Sequence, residues 1–358
     1  MPARHRQVLR FFSFWRIAIP IFIGLAAATV LFIRDFDPDL FSNIQWATYP
    51  ALWFLLVIVL MVIRDLAYMY RIRLLTDGEI TWKRSFQVIM LWEFASSITP
   101  SVVGGAAVAL FVVRKEGINM GRTTAVVMTT ALLDELFYII MVPVVIFIVG
   151  TSNLFISEPS FVIAGLKFSS KGVFLIGYLF ILVLTGIILF GIFISPGKVK
   201  QLLVSVFKVR FLRRWLPQAE QTGDELITTS AEMRSKSLLF WLKAYLATIV
   251  SWTARFWVVN ALIMAFAPVS EHFLIYARQL IMWVILLISP TPGGSGIAEY
   301  FFPLFLGEFI GAGLSTPLAI LWRLISYYPY IFIGVLVLPI WFRRVYFGKR
   351  RSIRFRSS

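Results

Sequence analysis

The chain has 358 residues, 59% of them hydrophobic, and a mean hydropathy of +0.84. Only 15% are charged, against about 25% in soluble domains, which excludes a chain built of water-soluble domains and predicts an integral membrane protein with many spans. The net charge of +16 points away from nucleic acid, because basic residues cluster beside the ends of apolar runs, where anionic lipid headgroups attract them. Cysteine is absent, which excludes disulfides and thiol chemistry, and His5 and His272 lack metal-ligand spacing.

The first predicted element is a span over 17–33, preceded by Arg4, Arg6, Arg10 and Arg16. No small-residue cleavage site closes its apolar run, so it reads as an uncleaved anchor and not as a signal peptide. Further spans are predicted over 46–63, 123–149, 172–195, 238–267 and 317–342, each close to the roughly 20 residues a crossing needs. Two other apolar runs, 85–113 and 273–306, carry Pro/Gly breaks; at 29 and 34 residues they are too short for two spans and long for one. The polar connection from Pro196 to Lys236 predicts short interfacial helices.

Basic residues decide how the two broken runs are threaded. If each is a re-entrant hairpin and the N-terminus is cytoplasmic, the cytoplasmic segments are 1–16, 64–84, 114–122, 196–237 and 343–358. They hold 4, 5, 3, 8 and 7 Lys/Arg, or 27 of the 34. The outer segments, 34–45, 150–171, 268–272 and 307–316, hold only Arg34, Lys167 and Lys171. A full crossing by 85–113 moves Arg114, Lys115 and Arg122 outside. The expected fold is therefore all-α and polytopic, with about six spans and two re-entrant hairpins of opposite entry, both termini being cytoplasmic.

The two tips resemble one another: "SSITPSVVGG" (Ser96 to Gly105) and "LISPTPGGSG" (Leu287 to Gly296). Similar elements of opposite orientation mark an inverted repeat, as in many transporters, here roughly 46–195 and 238–342 within one membrane domain, 1–358. Two unrelated proline-kinked spans are the plainer alternative. Tip residues Thr99, Pro100, Gly104 and Gly105, and Pro292, Gly293, Gly294 and Gly296, place irregular backbone at membrane depth, which survives only where protein buries it or water reaches it. The helix after "TPGGSG" starts there too, with N–H groups that favour an anion.

Eight ionisable residues fall inside assigned membrane segments. Each costs about 2.5–3.5 kcal/mol at a helix centre unless paired or wet. Lys243 lies near a span end and can snorkel. The candidate substrate-binding residues are the other seven, Glu93, Asp134, Glu135, Arg255, Arg278, Glu299 and Arg323. They have two readings: ion pairs that let polar helices pack, or a wet cavity for an anionic headgroup, since guanidinium suits phosphate. Glu299 is expected to pair with Arg278 or Arg323. Most of Ser96, Ser97, Thr99, Thr129, Thr130, Asn260 and Ser326 are expected to bond to helix backbone or neighbouring helices. Trp15, Trp46, Trp82, Trp241, Trp283 and Trp341 lie mostly near span ends and read as headgroup anchors.

"TPSVVGGAAVALFVVRKEGINMGRTTAVVMTTALLDELF" and "ISPTPGGSGIAEYFF" resemble the flippase-like family that includes the membrane region of lysylphosphatidylglycerol synthases. Its Pro-Gly-Gly-x-Gly-x-x-Glu motif is matched by Pro292, Gly293, Gly294, Gly296 and Glu299. The chain departs from the family at Gly105-Ala106, where Gly-Glu is frequent, and at Thr130-Ala131, where Glu-Arg is frequent. The resemblance implies movement of a phospholipid or lipid-linked headgroup across a bacterial or archaeal plasma membrane. With no aminoacyl-transferase domain after the basic tail, it implies translocation and not synthesis. The expectation is a lipid translocase and not an enzyme, without cofactor, metal or nucleic acid. The alternatives are a membrane scaffold or regulator whose charges only pack helices, and an intramembrane lipid-modifying enzyme using Asp134 and Glu135.

Overall fold

The computed structural model describes residues 49–99, 101–155, 161–163, 166–209, 212–289, 291–311 and 313–354. The expected span over 17–33 and the tip residue Pro100 lie outside the described residues. Twelve helices carry the described fold. They are α1 (Pro50–Leu75), α2 (Trp82–Ile98), α3 (Ser101–Lys115), α4 (Met120–Val149), α5 (Ser170–Ile188), α6 (Pro196–Phe207), α7 (Leu216–Ser235), α8 (Leu238–Phe266), α9 (His272–Leu287), α10 (Ile297–Leu306), α11 (Ser315–Ser326) and α12 (Tyr328–Arg354). Thr151–Leu154 forms a single helical turn. The expectation of a purely helical chain needs one addition: Phe161–Ile163 and Leu166–Phe168 pair antiparallel, with Phe161 opposite Phe168.

Among the described residues, five stretches are long and apolar enough to cross a membrane: Pro50–Leu75, Met120–Val149, Ser170–Ile194, Leu238–Phe266 and Ser315–Tyr346. Their starts follow local chemistry. Pro50 opens α1, where its missing N–H is no loss. Side chains of Asn119, Ser169 and Ser237 accept from the backbone N–H three residues on and cap α4, α5 and α8. Outward faces are apolar, as Leu52, Leu55, Ile58 and Val62 on α1 illustrate.

Two expectations are corrected here. The span expected over 46–63 continues to Leu75, because Arg64 and Arg71 are buried in it and do not mark its end. The last span is two helices: Tyr327 leaves helical geometry (φ −124°, ψ −58°) between α11 and α12, beside Pro329, which has no N–H to continue a ladder. The polar connection folds as expected into helices, α6 and α7, and α7 lies against α4, where the Gly121 N–H donates to Glu225 Oε2 at 2.9 Å.

Helices α2 and α3 form an antiparallel hairpin. Near the tip Gly105 abuts Ser96, and at the open end Arg84 Nε lies 3.9 Å from Glu116 Oε2. Its flanks meet as well. Asp77 before the hairpin and Arg122 after it pair at 2.6 Å, and Lys236 joins Asp77 at 2.6 Å. Helices α9 and α10 form the second hairpin. At its open end Arg278 donates to the Asn153 and Phe305 carbonyls at 2.8 and 3.1 Å and pairs with Glu308 at 2.9 Å. Asn153 follows α4, whereas Asn119 precedes it. A 30-residue helix is about 45 Å long, so the two hairpins open at opposite ends of the bundle. Helix α8 runs along α1, and the Ser251 hydroxyl donates to the Arg64 carbonyl at 3.1 Å.

Candidate functional site

The hairpin tips meet inside the bundle. The Tyr327 hydroxyl donates to the Ser97 carbonyl at 2.8 Å and accepts from Ser295 Oγ at 3.3 Å. Gly293 (φ +57°) sits against the Tyr327 ring so closely that a Cβ there meets ring carbon at 2.2 Å. In the first tip Gly104 and Gly105 lie within α3 and contribute close approach: a Cβ on Gly105 falls 2.2 Å from Ser96 Oγ.

Between the tips lies a cavity of about 260 Å³, just below the roughly 300–1,000 Å³ of drug-sized pockets. Charged side chains from five helices reach its wall: Arg71, Glu93, Asp134, Glu135, Arg255 and Arg323. Ser96, Thr99, Gly293 and Gly294 bring both tips to it.

Most of these charges are closed by partners. Arg64, Tyr68 and Arg71 are spaced i, i+4, i+7 and so form one stripe on α1. Arg71 grips Asp134 in a fork, 2.7 Å to Oδ1 and 2.9 Å to Oδ2, and also donates to Thr248 Oγ1 at 2.7 Å. Trp252 Nε1 donates to the same Asp134 Oδ1 at 2.8 Å. Arg64 donates to Glu93 at 2.6 Å and to Asp65 at 2.8 Å, between the rings of Tyr68 and Tyr330. Such buried pairs depend on geometry: the mutual attraction offsets desolvation only when hydrogen bonds are good on both sides.

Arg323 is closed in the same way. Its Nε meets Glu299 Oε1 at 3.0 Å, one of its terminal nitrogens donates to the Gly293 carbonyl at 2.9 Å, and its guanidinium lies 3.6 Å over the Tyr327 ring. Glu299 is 1% exposed, lies behind Arg323 and does not line the cavity. Its Oε2 accepts from the Gly296 N–H at 2.7 Å. The N-terminus of α10 is thus capped from within its own first turn, and that donor is not free for an anion.

Two groups are left over. Arg255 is half-buried, 5.3 and 4.4 Å over the rings of Trp252 and Trp283, with no carboxylate in ion-pair range among the described residues. Glu135 is 6% exposed, and its Oε2 has no hydrogen-bond partner among the described residues.

The structure therefore gathers Glu93, Asp134, Glu135, Arg255 and Arg323 at one cavity and leaves Arg278 out, closed against Glu308 at the open end of the second hairpin. Of the two partners expected for Glu299, it has Arg323. Trp283 and Trp341 are not interface anchors: Trp283 forms the cavity wall under Arg255, and Trp341 is buried and donates to Glu116 at 2.9 Å. Ser97, Thr99, Thr130 and Ser326 donate to helix carbonyls of Glu93, Ala95, Val126 and Trp322, as expected. Arg64, Arg71 and Tyr327 were missed. The seven-residue spacing of the two arginines, continuous with the apolar face of the helix, is the signal that marks them.

A protein-family model, "Lysylphosphatidylglycerol synthase TM region", matches residues 17–334. The chain is 26% identical over 330 residues to a "UPF0104 membrane protein" of Archaeoglobus fulgidus, a match covering 89% of this chain and 94% of that protein. No solved structure matches. With five apolar spans and a family match across nearly its whole length, the chain is a multi-pass membrane protein that belongs to the family of the lysylphosphatidylglycerol synthase TM region.

Proposed function

We propose that this protein moves a phospholipid, or a lipid-linked molecule with an anionic phosphate in its headgroup, across the plasma membrane. The cavity between the tips holds the headgroup while the acyl chains stay in lipid. The lipid is not altered chemically. In this reading α2–α3 and α9–α10 are re-entrant hairpins of opposite entry, and both termini are cytoplasmic. The clustering of 76–84, 114–122 and Lys236 at one end of the bundle, where basic residues are dense, supports this orientation.

One observation carries the proposal: Arg255 has no carboxylate in ion-pair range among the described residues and rests against two indole rings on the cavity wall. Leaving a charge unpaired at such depth is costly, and a phosphate removes that cost by a charge-assisted fork. The closed pairs of Arg64, Arg71 and Arg323 favour a second reading for those residues alone, as helix-packing charges.

The test is headgroup movement between leaflets of liposomes containing purified protein. The wild type should accelerate it, Arg255→Ala should lose most of the acceleration, and Arg255→Lys should recover part. Mass analysis of the lipid afterwards should find it unchanged. Liposomes with the protein that behave as empty liposomes count against translocation and favour a scaffold.

A further inference from the structure

The cavity wall carries three cations, Arg71, Arg255 and Arg323, and three carboxylates, Glu93, Asp134 and Glu135. Its formal charge is therefore balanced, which is a poor match for a headgroup that brings only negative charge. The pairing is more informative than the sum. Arg71 is closed by Asp134, Arg323 by Glu299, and Glu93 by Arg64. What remains is one cation, Arg255, and one carboxylate, Glu135.

These two do not close on one another, since Glu135 Oε2 has no partner among the described residues and Arg255 rests on Trp252 and Trp283. Both line the same cavity. Asp134, tied to Arg71 and Trp252, fixes the rotation of α4, and the next residue, Glu135, is thereby held about 100° around the helix, still on the cavity wall. A buried acceptor without a donor is costly, and so is an unpaired buried charge. One ligand that brings both an anion and an N–H cation relieves both costs.

We infer, on the basis of the translocation reading above, that the headgroup held here is net neutral, with one phosphate and one ammonium: Arg255 takes the phosphate and Glu135 accepts from the ammonium. Glu135 is then the residue that selects a neutral headgroup over an anionic one. An anionic headgroup meets Arg255 equally well but leaves Glu135 unpartnered beside added negative charge.

The experiment measures binding apart from transport. Short-chain phosphatidylethanolamine and short-chain phosphatidylglycerol are titrated into the purified full chain in detergent. The wild type should bind the first about tenfold or more tightly than the second, the order expected for one charge-assisted hydrogen bond. Glu135→Gln should erase that preference by weakening phosphatidylethanolamine alone, whereas Arg255→Gln should weaken both. Equal wild-type affinities overturn the inference, and this comparison needs no variant to fold. A Glu135→Gln protein that keeps the full preference overturns it too. Free phosphoethanolamine competing as strongly as the lipid overturns the lipid as the source of the headgroup. If the binding preference is present and liposome movement absent, the translocation reading fails alone; if movement is present and the preference absent, this inference fails alone.

Discussion

The Tyr327 hydroxyl and the Ser97 carbonyl, 230 residues apart in sequence, lie 2.8 Å from one another where the two hairpin tips meet. The bond joins a break in the last span to the end of α2, so each tip is part of the other's wall. Tyr327→Phe keeps the ring under Arg323 and removes the bond. Stability in detergent should fall by about 0.5–1.5 kcal/mol, read as a lower melting temperature. An unchanged melting temperature would show that the tips do not depend on this contact.

Arg71 and Asp134 form the most fully bonded pair of the cavity, and breaking such a pair leaves an uncompensated buried charge. Asp134→Asn or Arg71→Met alone should cost about 3–5 kcal/mol, seen as poor yield and early unfolding. Arg71→Met with Asp134→Leu should recover much of that loss. A double variant no better than either single would show that the two losses are independent.

Glu299 has a structural duty that its place in the motif does not disclose. It holds Arg323 and caps α10, so Glu299→Gln removes the countercharge of an arginine that is 4% exposed. The melting temperature should fall clearly, along with any loss of lipid movement. Arg278→Ala, by contrast, should leave headgroup affinity near wild type, since Arg278 lies outside the cavity.

Gly105 and Ser96 set the closeness of the first hairpin. A Cβ at Gly105 meets Ser96 Oγ at 2.2 Å and Ser96 Cβ at 3.1 Å. Gly105→Ala should destabilise by about 1–3 kcal/mol through overpacking. Adding Ser96→Ala should return part of this, because the nearest clash is with the hydroxyl. Thermal unfolding of the three variants checks both steps.

The proposed threading can be tested without background labelling, because the sequence has no cysteine. Cysteine at Asn119 should resist an impermeant reagent applied outside intact cells, and cysteine at Ser152 should react. Labelling at Asn119 from outside would sink the re-entrant reading of α2–α3.

Much of the helical layout was legible in the sequence. Apolar runs and their breaks located five spans and two helical hairpins, because lipid-facing helices must be apolar and prolines cannot continue a ladder. The irregular backbone expected at Gly104 and Gly105 is absent, since both lie within α3. The charge pairing was not. Arg64 and Arg71 ended an apolar run on paper, and nothing local says that Glu93 and Asp134 come to neutralise them. Which arginine would be left free, Arg255 and not Arg278 or Arg323, depends on contacts across 24 residues for Arg323 with Glu299 and on 63 for Arg71 with Asp134. Pairing at that range is a property of packing, not of spacing.

The α1 stripe also bears on how the chain is made. Arg64 has Asp65 beside it from the start, but Arg71 waits for Asp134, which leaves the ribosome 63 residues later. At about 5–20 residues per second that interval is roughly 3–13 s. During it, the C-terminal half of α1 carries a guanidinium with no countercharge from its own helix turn, and burying it in lipid costs about 2.5–3.5 kcal/mol. Membrane integration of α1 should therefore finish only after α4 emerges. A nascent chain truncated before Asp134 should leave Arg71 near the headgroups, whereas one extended past α4 should draw it inward.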